Sequence, residues 1–484
     1  MNKILWFRFD LRLHDNEAVK KAIIDGKTLP IFIFDEEYYK LETSSTFHLQ
    51  FCIDSIEDLE KKFKEEFNAK LNIYYGDTRE ILKYLSKKFN INEIYSTQHY
   101  KNKQLRQLDQ QIQILCKEND IQWKIYNHFG VQLNNRNGQT WSKDWNNFIN
   151  TKQTTIVQKA KFLHDDHLID YSQIQTSKFD TSEIQRGGRM KALKLLESFV
   201  EYRSENYQQF MSSPVTGESA CSRLSPYIAF GNISLREIYQ RVTTNNFSLI
   251  HQKKSINAFK KRLAWHCHFI QKFYDEPKIE FENMNAAYNG IRENSFNEKY
   301  YEAWKSGMTG YPFIDACMRY LQHKGWINFR MRAMLVSFAS YQLWLDWRIT
   351  SKYLAQLFTD YEPGIHYSQF QMQSGTTGIN TIRMYNPIKQ SYDQDPEGIF
   401  IKKWVPELSE VPESLVHEPW KLTYLEQQSY NFEAGKHYPL PIVDNALSTK
   451  NARDKIWKIK SSPVSKILSK NILKKHTSAM TNFS

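Results

Sequence analysis

The sequence predicts an amino-terminal α/β domain built on a doubly wound parallel sheet, then a long connection, then an all-α domain. Two observations carry this. Over residues 1–130, short apolar runs alternate with amphipathic stretches. Over residues 189–360, strand-like alternation gives way to helical spacing. Strands that alternate with helices pair in parallel and are covered on both faces.

In order, the strands are expected at residues 3–9, 29–34, 71–75, 93–96 and 123–126, and the helices between them at 18–24, 49–67, 79–89 and 103–117. Phe51, Ile53, Ile56, Leu59 and Phe63 keep the 3.6-residue spacing of one apolar helix face. Ligands of such sheets bind beyond the carboxyl ends of the strands. The run Phe7-Arg8-Phe9-Asp10-Leu11-Arg12 therefore places polar side chains where a ligand can sit. No G-x-G-x-x-G follows the first strand, so a dinucleotide fingerprint is absent.

Residues 131–188 lose periodicity and are rich in Asn, Gln, Thr, Ser and Asp, which reads as a surface connection. Gly187-Gly188 breaks the chain before a helix at 189–202. Residues 330–347 are apolar almost all round and are expected to form one central buried helix. The helical domain is taken as 189–445 and the basic tail as 446–484. In that tail nine Lys and Arg face one acid, Asp454, which reads as a solvated terminal helix ahead of a nucleic-acid arm.

No apolar run is long enough for a membrane span. The opening residues are too charged for a signal peptide. Five cysteines lie far apart without a C-x-x-C pair, against a disulfide scaffold, a metal centre or an iron–sulfur cluster. A cytoplasmic protein with reduced thiols is expected. The net charge of +12 suits a polyanionic partner, or equally a solvated basic surface.

Four constellations carry chemistry. Residues 217–226, GESACSRLSP, set small hydroxyl residues and an Arg ahead of a helix; this suits a diphosphate, or an ordinary helix cap. Arg330 and Arg332 enter the apolar helix and require acidic partners or a buried anion; Asp360 and Glu362 are the nearest candidates. Trp265 and His266 can stack on and hydrogen-bond a base, or simply belong to the core, while His266 and His268 do not share a helix face and so do not make a metal site. Residues 360–387 are glycine-rich, nearly uncharged and contain Gln369, Gln371 and Gln373. They read as too polar for a packing helix and fit the wall of a deep pocket, or a long surface loop.

The ordered motifs LWFRFDLRLHDNEAV, GGRMKALKLLESF, SRLSPYIAFGNIS, WKSGMTGYPFIDACMRYLQHKGW, RMRAMLVSFASYQLWLDWR and YNPIKQSYDQDPEGIFIKKWVPEL are similar to the DNA photolyase and cryptochrome family, over about residues 3–410. The resemblance implies an α/β antenna domain, a helical domain holding FAD, and blue-light-driven electron transfer, in most members to repair pyrimidine dimers in DNA. Tyr207 and the run Cys221, Ser222, Arg223, Leu224 and Ser225 would contact the FAD phosphates and ribityl chain. Arg332 and Asp360 would form an ion pair beside the isoalloxazine, with Glu362 near its ring or ribityl edge. Trp265, Arg262 and His266 would line the cavity for the flipped dimer, with Phe329 opposite.

The departures matter as much. Phe370 and Met372 stand where better-known members carry Trp. The residue facing the reactive flavin nitrogen would be His366 or Tyr367. Trp347 matches the middle member of the family's electron-relay tryptophans; with Phe370 in the proximal place, a route through Trp344 or a nearby Tyr is expected. Arg262 replaces the substrate Glu of the cyclobutane class, and Phe329 and Ala333 replace the two His of the (6-4) class. The segment YKNKQ at 100–104 lacks the acid expected for a folate, leaving a second antenna chromophore open. The expected function is repair of pyrimidine dimers, most simply cyclobutane dimers, by a monomer acting on damaged DNA. The rival expectation is a cryptochrome-like photoreceptor without repair.

Overall fold

The computed structural model describes residues 1–133, 140–156, 160–166, 169–245, 247 and 249–476. Residues 134–139, 157–159 and 167–168 of the expected connection, and 477–484 of the expected tail, lie outside the described residues.

Five strands, β1 (Asn2–Phe7), β2 (Lys27–Asp35), β3 (Asn72–Gly76), β4 (Ile91–Thr97) and β5 (Gln122–Tyr126), pair in parallel in the order β3-β2-β1-β4-β5. The order reverses between β1 and β4, which defines a doubly wound sheet. A short β6 (Lys161–Phe162) joins the start of β2. The crossovers are α1 (Glu17–Ala22), α2 (Thr46–Phe67), α3 (Thr78–Phe89) and α4 (Lys103–Glu118). Each begins behind a side-chain cap, from Asn16, Ser45, Asp77 and Asn102 respectively. These caps satisfy orphan N–H groups and fix where each helix starts.

The connection is less irregular than its composition suggests. Within it, α5 (Trp141–Asn150) buries Trp141, Trp145 and Ile149 on one face. Trp145 meets Tyr239 and Trp141 meets His268, both edge-on, so this helix plugs the joint between the domains. Fully burying each such side chain contributes about 1.5–3 kcal/mol, enough to order a polar segment.

The polar run after β1 is also spent on the joint. Leu11 N–H donates to Phe230 O at 3.1 Å, and Arg12 Nη1 donates to Gly231 O at 2.9 Å. Gly231 has φ +71° and a Cβ there would lie 2.2 Å from Phe9 O, so only glycine permits this approach. Asp10 accepts from Arg8 N–H and from Asn16. Of the residues expected to face a ligand here, Phe7, Arg8 and Phe9 line a cavity.

The helical domain is organised by α6 (Ile250–Asp275), α7 (Phe329–Ser337), α8 (Trp347–Leu357) and α9 (Pro363–Ser374). The single helix expected at 330–347 is two. After Ser337 one π-turn spans Phe338–Gln342, Trp344 takes a left-handed φ of +55°, and Asp346 caps α8 by accepting from Arg348 N–H. Residues 363–374, expected as pocket wall or loop, form a helix. Gly364 lets α9 close on α6, since a Cβ there would lie 2.9 Å from Ile270 Cα. Tail residues 446–476 are not free: α10 (Asn445–Lys460) and α11 (Pro463–His476) dock on this domain. Ala452 and Ile456 are buried, and Asn285 Nδ2 donates to Ser469 Oγ at 3.0 Å.

Candidate functional site

The site is built where α7 and the turn between α8 and α9 converge. Arg332, on the first turn of α7, meets Asp360 through two parallel bonds, Nη1 to Oδ1 and Nη2 to Oδ2, both 2.9 Å. Its Nε donates to Ile327 O at 2.7 Å and its guanidinium lies 4.2 Å over the Phe358 ring. A bidentate fork of this kind fixes orientation as well as charge. Burial alone would raise the Asp360 carboxyl, but Arg332 and the Ser225 hydroxyl outweigh it and hold it below the usual carboxylate range. The Ser225 contact joins the 221–225 run to the Arg332–Asp360 pair.

Around Cys221 the side chains are cationic. Arg223, Arg262, Arg203 and Arg332 all act on its thiol, though burial pushes that thiol up to about 11. Arg203 donates to Cys221 O, and its Nη2 to Ser222 O at 3.2 Å. Arg223 has φ +59°, pairs with Glu218 at 3.3 Å and lies 4.0 Å over Trp326. Leu224 is buried, and Tyr207 is buried against Phe199 and Phe259. Ser222 is half-buried. Arg262 donates to Ala258 O at 3.3 Å and Met211 Sδ at 3.1 Å. Among the described residues Arg203 and Arg262 have no carboxylate partner. An arginine cluster with spare positive charge around a loop of small residues fits a diphosphate.

Met211 carries the site towards solvent. Besides receiving Arg262, its carbonyl accepts from Asn328 Nδ2 at 3.0 Å, which sets the neighbouring Phe329. Phe329 is 54% exposed and Trp265 43% exposed. Trp265 is held by offset stacking on Phe269, 5.4 Å away at 30°. Met372 is half-buried on the last turn of α9.

Two expected members are engaged elsewhere. His266 turns into the domain joint, edge-on to Phe129 of the α/β domain at 5.0 Å. Burial, with help from Lys101, lowers it to about 3, so it is neutral. Glu362 spends one carboxylate oxygen on the domain joint: its Oε2 accepts from Lys101 Nζ at 2.6 Å, while its Oε1 is buried without a hydrogen-bond partner among the described residues. Burial still raises the Glu362 carboxyl against the pull of Lys101.

His366 points its Nε2 at Ser351 O, 2.9 Å away, and burial lowers it to about 3. Phe370 packs on it at 4.6 Å. On the adjoining face, Tyr361 OH donates to Tyr367 OH at 3.2 Å, and the Tyr367 ring lies 6.4 Å from Trp347. Trp347 is buried and its Nε1 donates to Asn283 Oδ1 at 2.8 Å. Trp344 is clamped between two cations, Arg292 at 4.4 Å and Lys455 at 4.5 Å.

Sequence reasoning missed Arg203, Lys101 and Tyr361. Arg203 closes a π-turn at Phe199–Arg203 and binds backbone carbonyls, which leaves no pattern in sequence. Lys101 acts on a residue 261 positions away.

The α/β domain holds a separate small cavity of about 40 Å³ at the carboxyl ends of β1–β3, lined by Trp6, Phe9, Phe32, Tyr38 and Leu108 among others. Arg8 lies over Trp6 at 4.3 Å and pairs with Asp109 at its rim.

The family described as "DNA photolyase" matches residues 3–130, and that described as "FAD binding domain of DNA photolyase" matches 259–458. A deoxyribodipyrimidine photo-lyase of Alkalihalophilus pseudofirmus is 28% identical, covering 93% of this chain and 96% of its own. A cryptochrome DASH of Synechocystis is 26% identical, covering 94% and 97%. The crystal structure of an archaeal photolyase from Sulfolobus tokodaii with two FAD molecules is 29% identical, covers 95% of this chain and 100% of that one, and superposes with a TM-score of 0.78. Both halves of the chain, the doubly wound sheet and the helical FAD-binding domain, therefore agree: the chain belongs to the DNA photolyase and cryptochrome family.

Proposed function

We propose that the protein repairs pyrimidine dimers in DNA, cyclobutane dimers foremost, using light and bound FAD. The observation that carries this is the pair of solvent-open aromatics, Trp265 and Phe329, linked through Met211 to an arginine-rich site. A closed site for flavin alone has no use for exposed rings of this size, whereas a flipped, unstacked base pair needs flat surfaces to rest on. The arginines around Cys221–Ser225 would hold the FAD diphosphate, and Arg332–Asp360 would stand beside the ring system. When bound and reduced, FAD supplies the photochemistry.

The chain's own residues do the rest. Trp265 and Phe329 would seat the dimer. Arg262, without a carboxylate partner, is free to meet a DNA phosphate at the mouth. Tyr361, Tyr367 and Trp347 form an oxidisable path leading away from Asp360, one that Phe370 cannot supply. Trp344 is the poorer relay, since a positive hole on it is opposed by Arg292 and Lys455. Trp347→Phe should cut flavin photoreduction to a small fraction of wild type in transient absorption, and Trp344→Phe should change it little. Equal effects would remove this route. A second antenna chromophore would sit beyond the carboxyl ends of β1–β3, where ligands of such sheets bind.

Dark titration of a dimer-containing oligonucleotide against its undamaged counterpart tests the reading. A clear preference for the lesion is expected, and Trp265→Ala should weaken lesion binding by about 1–3 kcal/mol. No preference in wild type would favour a photoreceptor that binds FAD without repair, the reading to which Arg262 and Met372 lend weight.

A further inference from the structure

Eight of the twelve net positive charges lie in residues 446–484, where nine Lys and Arg face Asp454 alone; the other 445 residues carry only +4. A basic composition spread through the whole chain does not produce that distribution. The structure adds its placement. In α11, Ser465 and His476 face inward, and His476 meets Glu276 at 2.7 Å. Lys466, Lys470 and Lys474, at i, i+4 and i+8, all lie exposed on the outer side. Lys450, Arg453 and Lys458 are exposed on the neighbouring α10. Among the described residues none of these six has a carboxylate partner. Trp457, 52% exposed, stands among them with Lys460 Nζ 5.3 Å from its ring.

The position relative to the cavity is defined by two contacts. Glu276, at the end of the helix that carries Trp265, binds His476. Gly378 O, six residues past Met372, accepts from Ser469 Oγ at 3.1 Å. Eleven residues of helix separate Trp265 from Glu276, about 16 Å, or about five base-pair steps of duplex.

We propose that the outer face of the two carboxy-terminal helices is a second DNA-contact surface, which grips the phosphates of duplex flanking the lesion. It rests on the repair reading for its partner. Three cations one helical turn apart track a backbone, and an exposed indole among cations offers a stacking face, a combination that fits nucleic acid. Affinity from this surface is independent of damage, so it acts on undamaged duplex as well.

The test uses the full-length, FAD-loaded protein and an undamaged 30-mer duplex, titrated by fluorescence anisotropy over a range of salt. Lys466→Glu, Lys470→Glu and Lys474→Glu together should lower the slope of log affinity against log salt by about 2–3, at about 0.9 per lost phosphate contact. Affinity at physiological salt should fall at least tenfold while flavin absorbance and melting temperature stay unchanged. If the Glu variant fails to fold, the Gln variant at the same positions should show the same loss of slope. An unchanged slope in a variant whose wild type binds duplex steeply overturns the inference and leaves the repair reading standing. No binding of wild type to the undamaged duplex overturns the inference alone, since the repair reading is tested separately by lesion binding. Loss of binding to anionic vesicles, with duplex binding intact, assigns the surface to membranes and overturns the inference.

Discussion

Asp360 occupies a place where a carboxylate is costly unless it is fully paired. Arg332 and the Ser225 hydroxyl supply that pairing. Asp360→Ala leaves a guanidinium without its counter-charge in the wall of the site, at a cost of about 3–5 kcal/mol. The expected outcome is loss of flavin on gel filtration together with a lowered melting temperature. Arg332→Lys keeps the charge and loses the fork, so flavin retention should be intermediate. The pair was legible because two arginines entering an apolar helix demand an anion, and Asp360 lay close along the chain. Glu362 and His266 were legible as residues but not in their contacts. Each faces the α/β domain, and a partner such as Lys101 leaves no local signal.

At the scale of elements, α9 shows why polarity misleads. Gln371 made the segment read as non-helical, yet it is fully buried. Its amide donates to Ile279 O at 3.0 Å and Glu282 O at 2.7 Å, and accepts from Met284 N–H at 2.7 Å. One side chain thereby satisfies three backbone groups of the turn leaving α6, so a buried glutamine serves as glue between helix and loop. The strands of the sheet were legible to within about two residues because short continuous apolar runs bounded by turns and helices have few alternatives. The helix break at residues 338–346 was not, since an apolar run reads alike whether its backbone is continuous or interrupted. Lys101–Glu362 ties α9 to the α/β domain. Lys101→Met should destabilise the protein by about 3–5 kcal/mol by stranding a buried carboxylate, and adding Glu362→Gln should recover much of that loss. A double mutant no more stable than Lys101→Met in denaturant titration would contradict this coupling.

Across the whole molecule, the joint between the domains and the surroundings of the Arg332–Asp360 pair share a set of buried neutral histidines. Burial lowers His48 to about 4, and His266 and His366 to about 3. A histidine whose folded value lies below its unfolded one contributes stability that is full above about pH 6.5 and is lost as pH falls towards the folded value, at about 1.4 kcal/mol per pH unit for each proton. Asp315 acts in the opposite sense: burial raises it to about 6, so its contribution is full below its unfolded value and is lost as pH rises to about 6. Three histidines outweigh one aspartate. Melting temperature should therefore fall steeply between pH 6.5 and pH 4, and a flat profile over that range would show that these rings are not buried neutral.

The domain order, the sheet and the cofactor class were legible in the sequence because they rest on runs of contiguous residues. The lesion class was not, because the residues proposed to seat the substrate, Arg262, Trp265, Phe329 and Met372, stand on three separate helices. The direct test of the whole account is blue-light irradiation of the reduced, FAD-loaded protein with an oligonucleotide containing a cyclobutane thymine dimer, following recovery of thymine absorbance. The account predicts light-dependent recovery that Trp265→Ala strongly weakens. No recovery in light, from single- or double-stranded substrate, would contradict it.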